Sequence, residues 1–266
     1  MKFILIFPVS RRKTGQKPLI SCNKNDIIIK LTIEEETAIS MFNGFTQQTS
    51  DFLWELSFNN ERPWFLAHKN EFETALNQPF KALAADPDKI MREKFPDMGL
   101  QLHVARIYRD ARRLFGRGPY KDHLWFSLKS GEIQGEGPMF WFEIGAADYS
   151  YGMGFYGASP SQMEAFRRLV DANPARFERL AAAVENAGFR IYGEEYKRPK
   201  GDRGEIINRW YNRKRIGMER CMDFGGELFE SSLPMTLAGA YAELMPMYEF
   251  FLAFYRAADE SGPKRV

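Results

Sequence analysis

The hydrophobic period of this chain changes in its middle, and that change restricts the fold more than any other feature. Between positions 103 and 157 apolar and aromatic residues alternate with polar ones, in HVARIYRD, HLWFSLK, MFWFEI and DYSYGMGFYG. Alternation of this kind sends successive side chains to opposite faces of a strand. The intervening KSGEIQGEGP and IGAADYS supply glycine and other turn formers over lengths that suit hairpins. Helical periods stand before and after this block. Parallel strands would need a crossover between each pair, and the block has no room for one. The expectation is an α+β domain with a central, mainly antiparallel sheet of hairpins flanked by helices.

Upstream, MFNGFTQQTSDFLWELSFNN reads as a helix capped at Thr49 or Ser50, with Phe52, Leu53 and Leu56 inward and Asn59-Asn60 as its stop. RPWFLAHKNEFETALNQPFKALAAD reads as a second helix, started by Pro63 and kinked or divided at Pro79. His68 on that helix reads as a surface or satisfied histidine, because no second ligand stands near it. Downstream, Ser159, Pro160 and Gln162 form a capping-box start, with Met163, Phe166, Leu169 and Val170 inward. Asn173-Pro174 opens another helix, with Phe177, Leu180 and Val184 inward, and Gly188 ends it. FRIYGEEYKRPKGDRG reads as a strand entering a basic loop, EIINRWYNRK as a short helix, and IGMERCMDFG as a closing strand. A long amphipathic helix, LPMTLAGAYAELMPMYEFFLAFYRAAD, follows, and its Met and aromatic stripe belongs in a core.

The 266 residues fit one large domain with extensions. Residues 1–40 lack a sustained helical period and are read as a disordered arm or a non-native extension, with Met41 the natural start. Residues 41–258 are then a single domain and 259–266 a polar tail. No apolar run reaches the roughly 18 residues of a membrane span. MKFILIFPVS stops at Pro8 and leads into RRK with no small-residue cleavage site, so it is not read as a signal peptide. Two cysteines, Cys22 and Cys221, argue against a disulfide framework and for a cytoplasmic protein.

The formal net charge of +2 is unevenly spread. Residues 101–123 carry six Lys/Arg against two Asp, and residues 197–220 carry nine against three acids. The rest of the chain beyond residue 40 is acidic. Such polarity suits a positive site on an acidic body, or else charges that pair and scatter over a solvated surface. No Walker loop, G-x-S-x-G, H-E-x-x-H or C-x-x-C occurs. With three histidines and two cysteines, neither a metal site nor a cofactor is expected. A literal G-x-G-x-x-G occurs at Gly152, Gly154 and Gly157, but the helix signal comes only at Ser159-Pro160. In a dinucleotide site the helix begins within the glycines. These letters read instead as a glycine-punctuated edge strand.

The densest chemistry lies in RIYRDARRLFGRGPYKDHLWF, residues 106–126. Read as a strand over 104–110, it places Arg106, Tyr108 and Asp110 on one face and Arg109 on the other. Arginine offers planar, bidentate bonding to carboxylate or phosphate. Arg106, Arg109, Arg112, Tyr120 and Lys121, with Lys197 and Arg198 from the second basic stretch, are the candidate ligand-binding residues. Asp110 and His123 are the candidates for moving a proton. The same residue types also suit a structural ion-pair network bracing a loop.

The segment resembles the uncharacterised bacterial and fungal family called domain of unknown function 2461. That family's early block corresponds here to Gly44-Phe45, Phe52-Leu53, Leu56, Asn59-Asn60 and Trp64-Phe65. Its R-x-x-R-D-x-R and P-Y-K-x-H signature corresponds to Arg106, Arg109, Asp110, Arg112, Pro119, Tyr120, Lys121 and His123, and a later Y-K-R-P block to Tyr196–Pro199. Arg113 stands where the pattern has Phe, and Gly116-Arg117 where it has an Asp-Lys pair. The resemblance covers about residues 41–258 and implies a functional arginine element without naming a substrate. Three functions remain open. The first is a site for a phosphorylated or carboxylated small molecule. The second is a structural or protein-interaction domain braced by its arginines. The third is a nucleic-acid module, disfavoured because the globular part is not basic overall. No membrane partner is expected, and the oligomeric state is left open.

Overall fold

The structure is a computed structural model that describes residues 41–261 apart from 111, 113 and 115; the expectations for residues 1–40, for Cys22, for Arg113 and for 262–266 lie outside the described residues. The first helix, α1 (Gln47–Phe58), starts at Thr46 rather than at Thr49 or Ser50. Thr49 is instead buried within it, and its hydroxyl donates to Ala75 O at 2.7 Å. The second helical stretch is divided, as α2 (Arg62–Ala67), α3 (Lys69–Glu71), a π turn (Phe72–Asn77) and α4 (Gln78–Lys94). The wide turn falls just before Pro79, where the missing N–H and the ring of proline disrupt a regular helix. His68 bonds through Nδ1 to Trp64 O at 2.8 Å and stacks on the Trp64 ring.

The sheet comprises β1 (Leu100–Val104), β2 (Leu124–Ser130), β3 (Met139–Ile144), β4 (Asp148–Gly154), β5 (Arg190–Tyr192) and β6 (Gly217–Asp223). Its order is β1-β2-β3-β4-β6-β5, and every neighbouring pair is antiparallel. The first strand is shorter than the sequence suggests and ends before Arg106. Between β4 and β5 run α5 (Pro160–Ala172) and α6 (Pro174–Asn186). The Ser159–Gln162 capping box closes in both directions, at 2.7 and 3.2 Å. Asn173 Oδ1 accepts from Arg176 N at 3.1 Å. Between β5 and β6 lies α7 (Glu205–Tyr211), and α8 (Leu233–Ser261) closes the fold. Asp259 therefore continues a helix instead of beginning a tail.

Registration of the strands gives the sheet two unlike faces. Leu124, Phe126 and Leu128 of β2 share one face with Phe140, Phe142 and Ile144 of β3 and Tyr149, Tyr151 and Met153 of β4, and all are buried. Helices cover this face: Phe80 of α4 meets Phe126 and Phe142, while Tyr241 and Tyr248 of α8 meet Phe140. The Tyr248 hydroxyl accepts from Ser130 N at 2.8 Å, tying α8 to the sheet. The other face carries His103, Trp125, Trp141, Glu143, Ser150, Glu219 and Tyr192. Its ring contacts run between strand residues, His103 to Trp125 and Trp141 to Tyr192.

β4 lies inside the sheet, between β3 and β6, so its glycines do not mark an edge. A Cβ at Gly152 would stand 1.9 Å from Met218 O, and one at Gly154 2.4 Å from Gly217 Cα. The two glycines let β6 approach β4 closely. Gly217 in turn leaves room for the Tyr192 ring, which lies 2.3 Å from where its Cβ would be. The helix α5 begins beyond Gly157 and offers no amides to these glycines.

Candidate functional site

The basic segment is a hairpin-like excursion from the sheet between β1 and β2. Its two arms pair through Ala105 N to Trp125 O (2.9 Å), Lys121 N to Ile107 O (2.8 Å) and Arg109 N to Pro119 O (2.8 Å). An isolated bridge joins Tyr108 to Tyr120. Ile107 and Tyr120 point inward, and the Tyr120 ring stacks on Phe65 of α2 at 4.1 Å. Asn60 clamps the returning arm. Its Oδ1 accepts from Tyr120 N at 2.9 Å and its Nδ2 donates to Tyr120 O at 3.0 Å, as a neighbouring strand would. Gly118 permits this approach, since a Cβ there would fall 2.2 Å from Asn60 Oδ1. Gly116, one of the departures from the resembling pattern, turns the tip with φ of 78°, a conformation that side chains other than glycine disfavour.

The candidate residues divide by what they touch. Arg109 is only 13 % exposed, and its Nε donates to Tyr120 O at 2.7 Å while Nη2 meets Asp122 Oδ1 at 3.2 Å. Asp122 Oδ1 also lies 3.0 Å from His123 Nδ1. Burial pushes the Asp122 carboxyl up, but a backbone hydrogen bond, His123 and Arg109 outweigh it and hold the group below the ordinary carboxylate range. Arg112 folds back onto Asp110, donating from N, Nε and Nη2 at 3.0, 3.1 and 2.8 Å, and its side chain is 88 % exposed. Lys121 Nζ donates to Arg106 O at 2.6 Å. Burial, then the nearby charges of Arg109 and Arg106, pull the Lys121 ammonium below its ordinary value. Arg106 itself is exposed.

The hairpin thus brings together Arg106, Arg109, Lys121, Asp122 and His123, with Arg112 and Asp110 paired to each other along it. Tyr120 belongs to the core through its ring and to the clamp through its backbone. Lys197 and Arg198 lie elsewhere. They are exposed in the loop between β5 and β6, at the opposite flank of the sheet from the β1–β2 excursion. With strands about 4.8 Å apart, the intervening order separates the two flanks by roughly 20 Å.

Three contributors are not singled out by sequence pattern. Asn60 carries the signal of a helix stop, and its clamp reaches a residue 60 positions away. Asp122 is flagged only by adjacency to His123. Glu143 stands opposite Trp125 on the second face of the sheet. Burial pushes the Glu143 carboxyl up; His123 opposes that shift, while Asp148, Asp122 and Glu219 add to it. His123 therefore faces two acids, one bonded to it and one sharing its field.

Two open grooves run along β6. One of about 490 Å³ is lined by Tyr149, Tyr151, Arg220 and Glu227 among others, and one of about 320 Å³ by Arg190, Glu219 and Cys221 among others; neither includes a residue of the hairpin. Among the described residues no group of three or more His, Cys, Asp or Glu side chains could hold a metal ion, and no helix is long and apolar enough to cross a membrane.

No curated protein matches the chain. The model of a family described as a conserved hypothetical protein, DUF2461, matches residues 48–250. The matched stretch takes in the Asn60 clamp, the whole hairpin and the basic loop between β5 and β6, and by that match the chain belongs to the DUF2461 family.

Proposed function

We propose that the hairpin binds a phosphorylated or carboxylated small molecule, with His123 as the group that moves a proton. The observation that carries this reading is the gathering of Arg106, Arg109 and Lys121 beside the Asp122–His123 pair. Burial, and then the nearby charges of Arg109 and Arg106, depress the Lys121 ammonium, and an anion among these cations would relieve the repulsive part. Asp122 accepts from His123 Nδ1, which leaves Nε2 as the basic nitrogen on a side chain that is 34 % exposed. Arg109 serves as the brace of the pair, since its Nε and Nη2 donate within the hairpin. Arg106 and Lys121 supply the charge that a ligand meets. Arg112 offers a further guanidinium at the exposed tip. The low cysteine count leads us to read the compartment as the cytoplasm.

A thermal-shift screen of phosphorylated and carboxylated metabolites at constant ionic strength tests the reading. At least one is expected to raise Tm, and Arg106→Ala with Lys121→Ala is expected to remove the rise. A screen in which no anion stabilises the protein sinks the reading. Stabilisation only by oligonucleotides, lost steeply with salt, would favour the nucleic-acid alternative instead.

A further inference from the structure

We propose a second, separate oxyanion site at the far flank of the sheet, built by Arg167 of α5 with Tyr196 and Lys200 of the loop after β5, and taking a phosphate group. The Tyr196 ring carries two cations, with the Arg167 guanidinium carbon 5.7 Å and Lys200 Nζ 4.6 Å from its centroid. Arg167 Nη1 is buried and makes no hydrogen bond among the described residues. A buried guanidinium donor without an acceptor is costly, and an oxyanion that reaches it by displacing the exposed Lys200 side chain satisfies it.

The charge around this point is also unbalanced. The acids of this region are bonded to other cations: Asp171, whose carboxyl also lies in the field of Arg167, to Arg203 at 2.7 Å, Glu194 to Lys214, and Glu195 to Arg213 at 3.0 Å. Asp202 accepts from Gly204 N and Asn208 Nδ2. Arg167, Lys197, Arg198 and Lys200 are left without an ion-pair partner among the described residues. The loop that carries three of them is held in place. Asn212 accepts from Tyr196 N through its carbonyl (2.9 Å) and from Lys200 N through Oδ1 (2.7 Å), and it donates to Gly201 O (3.2 Å). The backbone that carries these cations is therefore fixed before a ligand arrives, which lowers the ordering cost of binding.

The same geometry selects a compact oxyanion over a nucleic-acid strand. Single-strand binders stack bases on open aromatic faces. The Tyr196 ring is instead occupied by its two cations. Phosphate, with several strong acceptor oxygens, matches a guanidinium and an ammonium held on one ring.

The experiment titrates inorganic phosphate and pyrophosphate into the full chain, with sodium chloride at matched ionic strength as the control. Binding is followed by calorimetry and by backbone amide shifts in two-dimensional NMR. Shifts are expected at 164–171 and 196–204, and Arg167→Gln or Lys200→Gln should each weaken this binding about tenfold. Arg106→Ala with Lys121→Ala should leave it intact, which separates this site from the hairpin. Lys200 lies on an exposed loop, so its variant decides the matter if Arg167→Gln lowers Tm. Shifts confined to other residues, or affinity unchanged in both Gln variants, would overturn the proposal. So would phosphate behaving no differently from chloride, or an oligonucleotide displacing phosphate from these amides with a steep salt dependence.

Discussion

Arg109 and Arg112 sit three residues apart with the same guanidinium and nearly opposite roles. Arg109 is 13 % exposed and joins Tyr120 O to Asp122, so its removal takes away one of the two donors to that carbonyl, leaving Asn60 Nδ2, and releases the carboxylate that orients His123. Arg109→Ala is expected to cost about 1–3 kcal/mol, read as a fall in Tm of a few degrees, with the fold retained at low temperature. Arg112→Ala removes a side chain that is 88 % exposed and bonds only within its own turn, so Tm should stay unchanged within error. An equal fall in both variants would contradict this division. Glu143 gives a prediction of the opposite sign. Its carboxyl is pushed up by burial, so the stability it contributes is fully present below the ordinary value of 4.5 and is lost as pH rises through the folded value. Glu143→Gln, which stays neutral, should raise Tm relative to the native protein near pH 7. That gain should vanish near pH 4. A gain that does not change with pH would show that ionisation of Glu143 is not its cause.

The glycines around β4 differ in what they face. Gly152 and Gly157 belong to the same G-x-G-x-x-G string, but only Gly152 faces a neighbouring backbone, with Met218 O at 1.9 Å from its would-be Cβ. Nothing lies within 4 Å of a Cβ at Gly157. Gly152→Ala should therefore push β4 from β6 and cost about 1–3 kcal/mol or more in urea unfolding. Gly157→Ala should cost almost nothing. If both variants fold normally, close strand approach is not the reason for Gly152. The comparison also shows which parts of the fold were legible in the sequence. Capping at Ser159 and Asn173, the strands of the central hairpins and the aromatic stripe of the last helix all depend on neighbours a few residues away. α1 starts at Thr46 and not at Thr49 or Ser50, because the Thr49 hydroxyl is taken by Ala75, 26 residues on. Alternation alone predicts a strand over 104–110. The chain there instead leaves the sheet and is held by Asn60, whose partner no local pattern reveals.

At the scale of the molecule, the two basic stretches were legible as charge but not as places. Their separation follows from β6 lying between β4 and β5, an order that hydrophobic periodicity does not encode. The tyrosines report on both faces of that sheet together. Burial pushes Tyr149, on the helix-covered face, up to about 12 and Tyr192, on the other face, also to about 12. Tyr241 and Tyr248, in α8, are raised as well, again chiefly by burial. An unfolded chain ionises its phenols near 10.0, whereas the folded protein keeps these four neutral. The folded state then binds more protons, and stability falls with rising pH. Unfolding free energy should thus be insensitive to these phenols below about pH 9 and should drop steadily from about pH 10 toward 12. Absorbance of tyrosinate should rise in two stages, the exposed phenols first and the buried set together with loss of near-UV dichroism. If all the phenols ionise in one stage near their ordinary value while the near-UV signal persists, the packing of α8 on the sheet and of Tyr192 over Gly217 does not exclude water as this structure requires.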